Sequence, residues 1–159
     1  MSPASPDERF LRLALAEAQA ALEEGETPVG AVVVQDGRVV GRGHNRVESL
    51  KDPTAHAEIL ALGAACRTLD DWRLPEATLY VTMEPCIMCA GSLLLTRLGR
   101  LVYGTRDLRA GACGSRLDVV QANPYGLDLR VTDGVLAEEC LALLQAFYRG
   151  LRDADGAAP

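Results

Sequence analysis

The sequence predicts an α/β protein, a three-layer α/β/α sandwich around a mixed five-stranded sheet. Three observations predict it. Helical apolar stripes alternate with short β-rich runs in the order αββαβαβ–loop–βα. Asp36-Gly37 stands between two apolar runs and signals a hairpin. The runs "ATLYVTM" and "RLVYG" have a helix-length segment between them, which makes a βαβ unit with parallel strands and a right-handed crossover. Helices on both faces of such a sheet are the simplest way to cover it.

Each element has its own signal. Ser5-Pro6-Asp7-Glu8 reads as a capping box with proline at the first helical position. The helix that follows carries a stripe at Leu11, Leu15, Ala18 and Leu22, and Gly25 stops it. "VGAVVV" and "RVVGRG" form the hairpin. A second helix is expected from near Asp52-Pro53-Thr54 to about Leu69, with Ile59, Leu62, Cys66 and Leu69 inward. Pro85 is expected to open a third helix that lasts to about Arg97. Residues 105–126 read as a loop and "LDLRVT" as the fifth strand. The last helix shows Leu136, Cys140, Leu143, Phe147 and Leu151 on one face, and the tail from about residue 153 is expected to fray.

The 159 residues suit one domain, taken as 1–159, and 48% hydrophobic with 24% charged residues is ordinary globular composition. No apolar run reaches the roughly 18 residues of a membrane helix, and the N-terminus lacks the basic flank and apolar core of a signal peptide. Five scattered cysteines do not make a disulfide framework, so a reduced, cytoplasmic protein is expected. A net charge of −6 argues against bulk attraction to nucleic acid. The segment Arg97–Arg116 departs from this: it holds five arginines and one acid, Asp107. It reads either as a solvated face or as a local patch for phosphates, with Arg109 a candidate contact.

The chemistry lies in "EPCIMCAG" and "TAHAEIL". Cys86 and Cys89 are one helical turn apart behind Pro85, and no second C-x-x-C exists. Helix N-termini favour thiolates, the species zinc binds. The chain has two histidines, and His56 is the third ligand candidate. His44 reads as a strand-end or pocket residue. One imidazole and two thiolates leave a fourth position for water, as a catalytic zinc requires; a structural zinc would be closed by a fourth protein ligand. Glu58, beside His56 but not a ligand, can take and return a proton as general acid/base. H-x-E followed by P-C-x-x-C is the pattern of zinc deaminases. Cys66 and Cys140 read as core residues, and Cys113 stays open. Two rival readings remain: a zinc deaminase of a free base or nucleoside of the guanine or cytosine type, and a binding module with a structural zinc closed by Cys113.

From about Phe10 to Arg152 the chain resembles the bacterial tRNA-specific adenosine deaminases. "TPVGAVVV", "GRGHNR", "DPTAHAEILAL", "WRLPEATLYVTMEPCIMCAGS", "RLVYGTRD" and "GACGS" carry the resemblance in order. It implies a cytidine deaminase-like fold, a homodimer, one Zn²⁺ per subunit, and conversion of the wobble adenosine of a tRNA anticodon stem-loop to inosine. His56, Cys86 and Cys89 would bind zinc, and Glu58 would shuttle protons. Asn45 matches the residue that holds the flipped nucleoside, and an amide can both donate and accept there. Pro28 and Val29 match pocket-wall positions. Asp107 matches a contact to the neighbouring nucleotide, and Phe147 and Arg149 match the final helix along the RNA. The chain departs from relatives at Asp128-Leu129 and in lacking a lysine-rich end, which bears on RNA affinity and not on chemistry.

Overall fold

The computed structural model describes residues 2–156. Its sheet has five strands: β1 (Gly30–Gln35), β2 (Arg38–His44), β3 (Thr78–Met83), β4 (Arg100–Thr105) and β5 (Arg130–Thr132), in the order β2-β1-β3-β4-β5. β1 runs antiparallel to β2 and β3, while β3, β4 and β5 are parallel. The helices are α1 (Pro6–Glu23), α2 (Val47–Leu50), α3 (Ala57–Leu69), α4 (Ile87–Leu95) and α5 (Ala137–Gly156). The mixed sheet and three layers are those the sequence predicts.

Strand alternation sorts the core into two halves. Val32, Val34, Tyr80 and Val102 point to one face and pack with Phe10, Leu11 and Ala14 of α1 and Cys140 of α5. Ala31, Val33, Leu79, Val81, Leu101 and Tyr103 point to the other, against α3 and α4. Both faces are covered, so the central strands are apolar throughout instead of alternating with polar residues.

The helices dock through their small residues, and here the structure corrects the expected faces. α1 buries Phe10, Leu11, Ala14, Ala18 and Ala21, while Leu15 and Leu22 are only half-buried. α3 buries Ala57, Glu58, Ala61, Leu62 and Ala65, while Ile59, Cys66 and Leu69 lie at its margin. The reason is backbone approach. A Cβ on Gly41 would overlap the Ala61 carbonyl oxygen, and one on Gly43 would lie 2.7 Å from that of Ala57. Strand glycines and helix alanines let α3 lie almost directly on β2.

Element boundaries differ too. α3 starts at Ala57, not near residue 52, because Asp52 turns the chain first. Its carboxylate accepts from the Thr54 amide at 2.8 Å and the Thr54 hydroxyl at 2.7 Å, and Pro53 disfavours helix in the residue before it. Residues 47–50 form a short helix, α2, that the pattern does not signal. α4 begins at Ile87 and ends at Leu95, with Arg97 already at positive φ. Only Arg130–Thr132 of "LDLRVT" pairs as strand. α5 continues to Gly156, past the expected fraying point, since Leu151, Arg152 and Ala154 all favour helix. The end of the tail, residues 157–159, lies outside the described residues. The capping box at Ser5 and Glu8 is present with both bonds at 3.2 Å. No helix among the described residues is long and apolar enough to cross a membrane.

Gly41→Ala should lower stability by about 1–3 kcal/mol, the scale of overpacking against an unyielding backbone. The urea midpoint measures it, and an unchanged midpoint would mean that α3 is free to move away from β2.

Candidate active site

Two helix N-termini converge beyond the end of β3. His56 is the N-cap of α3 and Cys86 the N-cap of α4, both in extended conformation, with Cys89 one turn into α4. This corrects the expectation of a helical His56. Because the chain turns at His56, its side chain and that of Glu58 need not share a helical face to reach one cavity. His56 Nδ1 lies 3.6 Å from Cys86 Sγ and 3.5 Å from Cys89 Sγ. The three ligand atoms all fall within 4.8 Å of one another, the one such group among the described residues.

The spacing fits a tetrahedral metal. Zn–S bonds of about 2.3 Å and Zn–N bonds of about 2.0–2.1 Å place nitrogen and sulfur about 3.5–3.6 Å apart across a tetrahedral edge. The two thiols differ in readiness for it. A hydrogen bond from Cys89, aided by one with His56, brings the Cys86 thiol down to about 3 despite partial burial. The same bond with Cys86, together with burial, pushes the Cys89 thiol up. Both helix N-termini add partial positive charge.

A cavity of about 630 Å³ opens on this cluster, within the range of small-molecule sites. Val29, Asn45, His56, Glu58, Cys86, Asp107, Arg109 and Phe147 all line it, so residues far apart in sequence meet there. Pro28 is buried next to Val29 and is not a lining residue. Arg149 lines a second depression, with Gln145, Tyr148 and Arg152. Glu58 is 4% exposed, and burial pushes its carboxyl up despite the nearby Cys89 and His56. It belongs to the cavity and not to the three-membered metal group.

Two carboxylates in the lining have no signal in the sequence pattern. Glu26 is 1% exposed; it accepts from the Ser49 amide at 2.7 Å, the Glu48 amide at 3.1 Å and Asn45 Nδ2 at 3.4 Å. Glu84 accepts from the loop after β4. An acid in a chain of this composition reads as surface, and only burial reveals otherwise. The Asp107 carboxylate accepts from the Arg109 and Ala110 amides at 3.0 and 3.1 Å, so it shapes its own turn instead of pairing with a neighbouring arginine.

The arginine segment is less free than its local charge suggests. Arg100 makes a bidentate pair with Asp7 at 2.9 and 2.8 Å, Arg106 pairs with Asp133 at 2.7 Å, and Arg97 donates to the Leu94 carbonyl and lies over the Tyr125 ring. Arg109 stands at the cavity and Arg116 is exposed. Cys113 is buried in the core, its thiol pushed up to about 12 by burial, and it is not a member of the metal group. A fourth protein ligand from Cys113, and with it the closed structural site, is therefore not what the structure holds.

The MafB19-like deaminase family model matches residues 5–151. The chain belongs to the MafB19-like deaminase family. The deaminase is 43% identical over 152 residues to the tRNA-specific adenosine deaminase of Bacillus subtilis, covering 96% of this chain and 94% of that one. A solved tRNA:A34 deaminase of the wobble position superposes with a TM-score of 0.82 at 43% identity, over 86% of this chain and 99% of that chain. A guanine deaminase from Nitrosomonas europaea superposes with a TM-score of 0.78 at 26% identity, over 92% and 86%. The enzyme is thus a zinc-deaminase family member whose His/Cys cluster can coordinate a metal ion.

At the end of β2, His44 Nδ1 lies 3.0 Å from Glu17 and Nε2 3.0 Å from Glu24, while Arg42 and Arg46 flank the same carboxylates. A neutral ring donates from one nitrogen only, so two carboxylates call for the imidazolium. Burial opposes this charge, but the two hydrogen bonds win and raise the His44 pKa. The stabilisation is complete below the unfolded value of about 6.5 and disappears as pH rises through the folded value. His44→Gln should therefore destabilise most near pH 6 and progressively less toward alkaline pH. Urea midpoints across that range test this, and a pH-independent loss would contradict it.

Proposed function

We propose that the enzyme hydrolyses an adenosine to inosine and ammonia in the anticodon loop of a tRNA, at the wobble position, with one zinc per subunit. The observation that carries this reading is the 43% identity to a tRNA-specific relative over nearly the whole of both chains, against 26% and 34% to two guanine deaminases. The cavity mouth supports it. Tyr148 and Leu151 of α5 line it and are substantially exposed, and a free base has no use for an aromatic residue outside its pocket.

His56, Cys86 and Cys89 would hold the zinc, which would supply an activated water for attack on the ring carbon that carries the amine. Glu58 accepts a proton from the attacking water and gives it to the ring nitrogen, then accepts a second from the hydroxyl left on the attacked carbon and gives it to the departing amine. Burial favours the neutral acid, which makes the carboxylate a better acceptor for the proton taken from water. Asn45 holds the nucleoside. Its Nδ2 donates to Glu26, which leaves Oδ1 to accept from the ligand. Val29 is a wall of the pocket, and Pro28 fixes the backbone that presents it. Asp107 and Arg109 meet the flanking nucleotide and its phosphate, and Phe147 and Arg149 meet the loop along α5.

A homodimer fits the exposed apolar side chains of α4 and of the loop after β4: Ile87 is 62% exposed and Leu108 79%. Residues 1–159 act as one domain, and five unpaired cysteines suit the reducing cytoplasm.

Glu58→Gln should cost about a hundredfold or more in turnover while elemental analysis still finds about one zinc per chain. Zinc loss equal to that of Cys86→Ala would make Glu58 a ligand and overturn its role. Incubation with a mixed tRNA pool should yield inosine at anticodon positions. Replacing Arg109 and Arg149 with alanine should raise the stem-loop KM and flatten its salt dependence. Free guanine turned over as well as the stem-loop would replace this reading with a free-base deaminase.

A further inference from the structure

Glu84 follows β3 directly and stands two residues before Cys86. The zinc chemistry gives it no task, yet it is 3% exposed. Both of its oxygens are occupied by the loop after β4. Oε1 accepts from the Asp107 amide at 3.3 Å and from the Ser115 hydroxyl, and Oε2 from the Cys113 and Ser115 amides, each at 3.1 Å. Backbone bonds reinforce the link: the Glu84 amide donates to the Thr105 carbonyl at 2.9 Å, and the Ala112 amide to the Pro85 carbonyl at 2.9 Å. A Cβ on Gly111 would overlap the Glu84 carboxylate, so the loop closes around this one side chain.

The loop is bound to the metal-ligand turn and carries Asp107 and Arg109 into the cavity. We propose that Glu84 is a positioning residue for the substrate, one that sets the Asp107–Arg109 turn at a fixed place relative to Cys86 and Cys89. In its RNA aspect this rests on the function proposed above. Glu84 makes the reacting centre and the flanking-nucleotide contacts one rigid unit. A carboxylate suits the task because it only accepts, and three of its four partners are amides that only donate. An amide side chain must turn an NH₂ group toward at least one of those donors, so glutamine cannot reproduce the arrangement.

The test is Glu84→Gln on the zinc-loaded protein. Hydrogen exchange at the Asp107, Cys113 and Ser115 amides should accelerate about tenfold or more, with α3 amides unchanged. With the stem-loop, KM should rise about tenfold and kcat stay within about threefold, and this effect should vanish on an Asp107→Ala background. Unchanged exchange overturns the inference whatever the substrate is, and so does a KM effect that adds fully to that of Asp107→Ala. If the wild type leaves the stem-loop untouched, the proposed function falls while exchange still decides whether Glu84 holds the turn. Ser115→Ala removes one bond and should shift the same amides in the same direction, by about threefold. It keeps the test decisive should the glutamine variant fail to fold.

Discussion

The close approach of α3 to β2 sets the rest of the molecule. Gly41 and Gly43 have no side chains to hold off Ala57 and Ala61, so the helix lies with its backbone almost on the strand. Its N-terminus then reaches the same point as that of α4, which the βαβ connection brings over the adjoining strands. His56 and Cys86 are both N-caps there, so the ligands stand where the chain changes direction and their spacing is fixed by two rigid helices. The positive ends of both helices favour thiolates at that point. Packing by the smallest residues thus determines the electrostatics of the site.

Three buried glutamates surround the cavity, and each meets the cost of burial differently. Glu26 draws on the amides that begin α2, and in doing so orients Asn45. Glu84 draws on the amides of the 107–115 loop. Glu58 stands in the first turn of α3, and there desolvation dominates and raises its pKa despite the nearby Cys89 and His56. A carboxylate held by several amides of a neighbouring segment is a fixed structural part, whereas one whose burial favours the neutral form can take up a proton. One residue type therefore serves as anchor twice and, in the proposed reaction, as a proton carrier once, by environment alone.

The sequence made the metal group legible because ligand chemistry restricts residue type and spacing: one histidine and two cysteines in helix-starting contexts leave few alternatives. Strands and the hairpin were legible for the same local reasons. The helix faces were not, because alanine carries little hydrophobic weight in a pattern yet is what a close-packed sheet selects. Glu26 and Glu84 were not, because their partners are backbone amides, which every residue has. The arginine segment misled in the opposite way. Its local charge is real, but Arg100 meets Asp7 from the far end of the chain and Arg106 meets Asp133. Windowed charge counts neighbours in sequence, and ion pairs join neighbours in space.

Those internal pairings bear on how an acidic protein could hold a polyanion. With Arg97, Arg100 and Arg106 engaged in the fold, the cations left near the cavity and α5 are Arg109, Arg149 and Arg152. Asp153 and Asp155 follow directly on the same helix. Two or three phosphate contacts release few counterions, at a slope of about 0.7 per contact for a single strand. The salt dependence of RNA binding should accordingly be shallow for a nucleic-acid enzyme. Affinity then has to come from elsewhere. Stacking on Phe147 and Tyr148, and the enclosed cavity with its fixed Asn45, are the terms at hand. Such terms act on a base that has already left its stack. On the proposed function, an enzyme built this way would select loops whose target base flips readily and would gain little from long stretches of duplex.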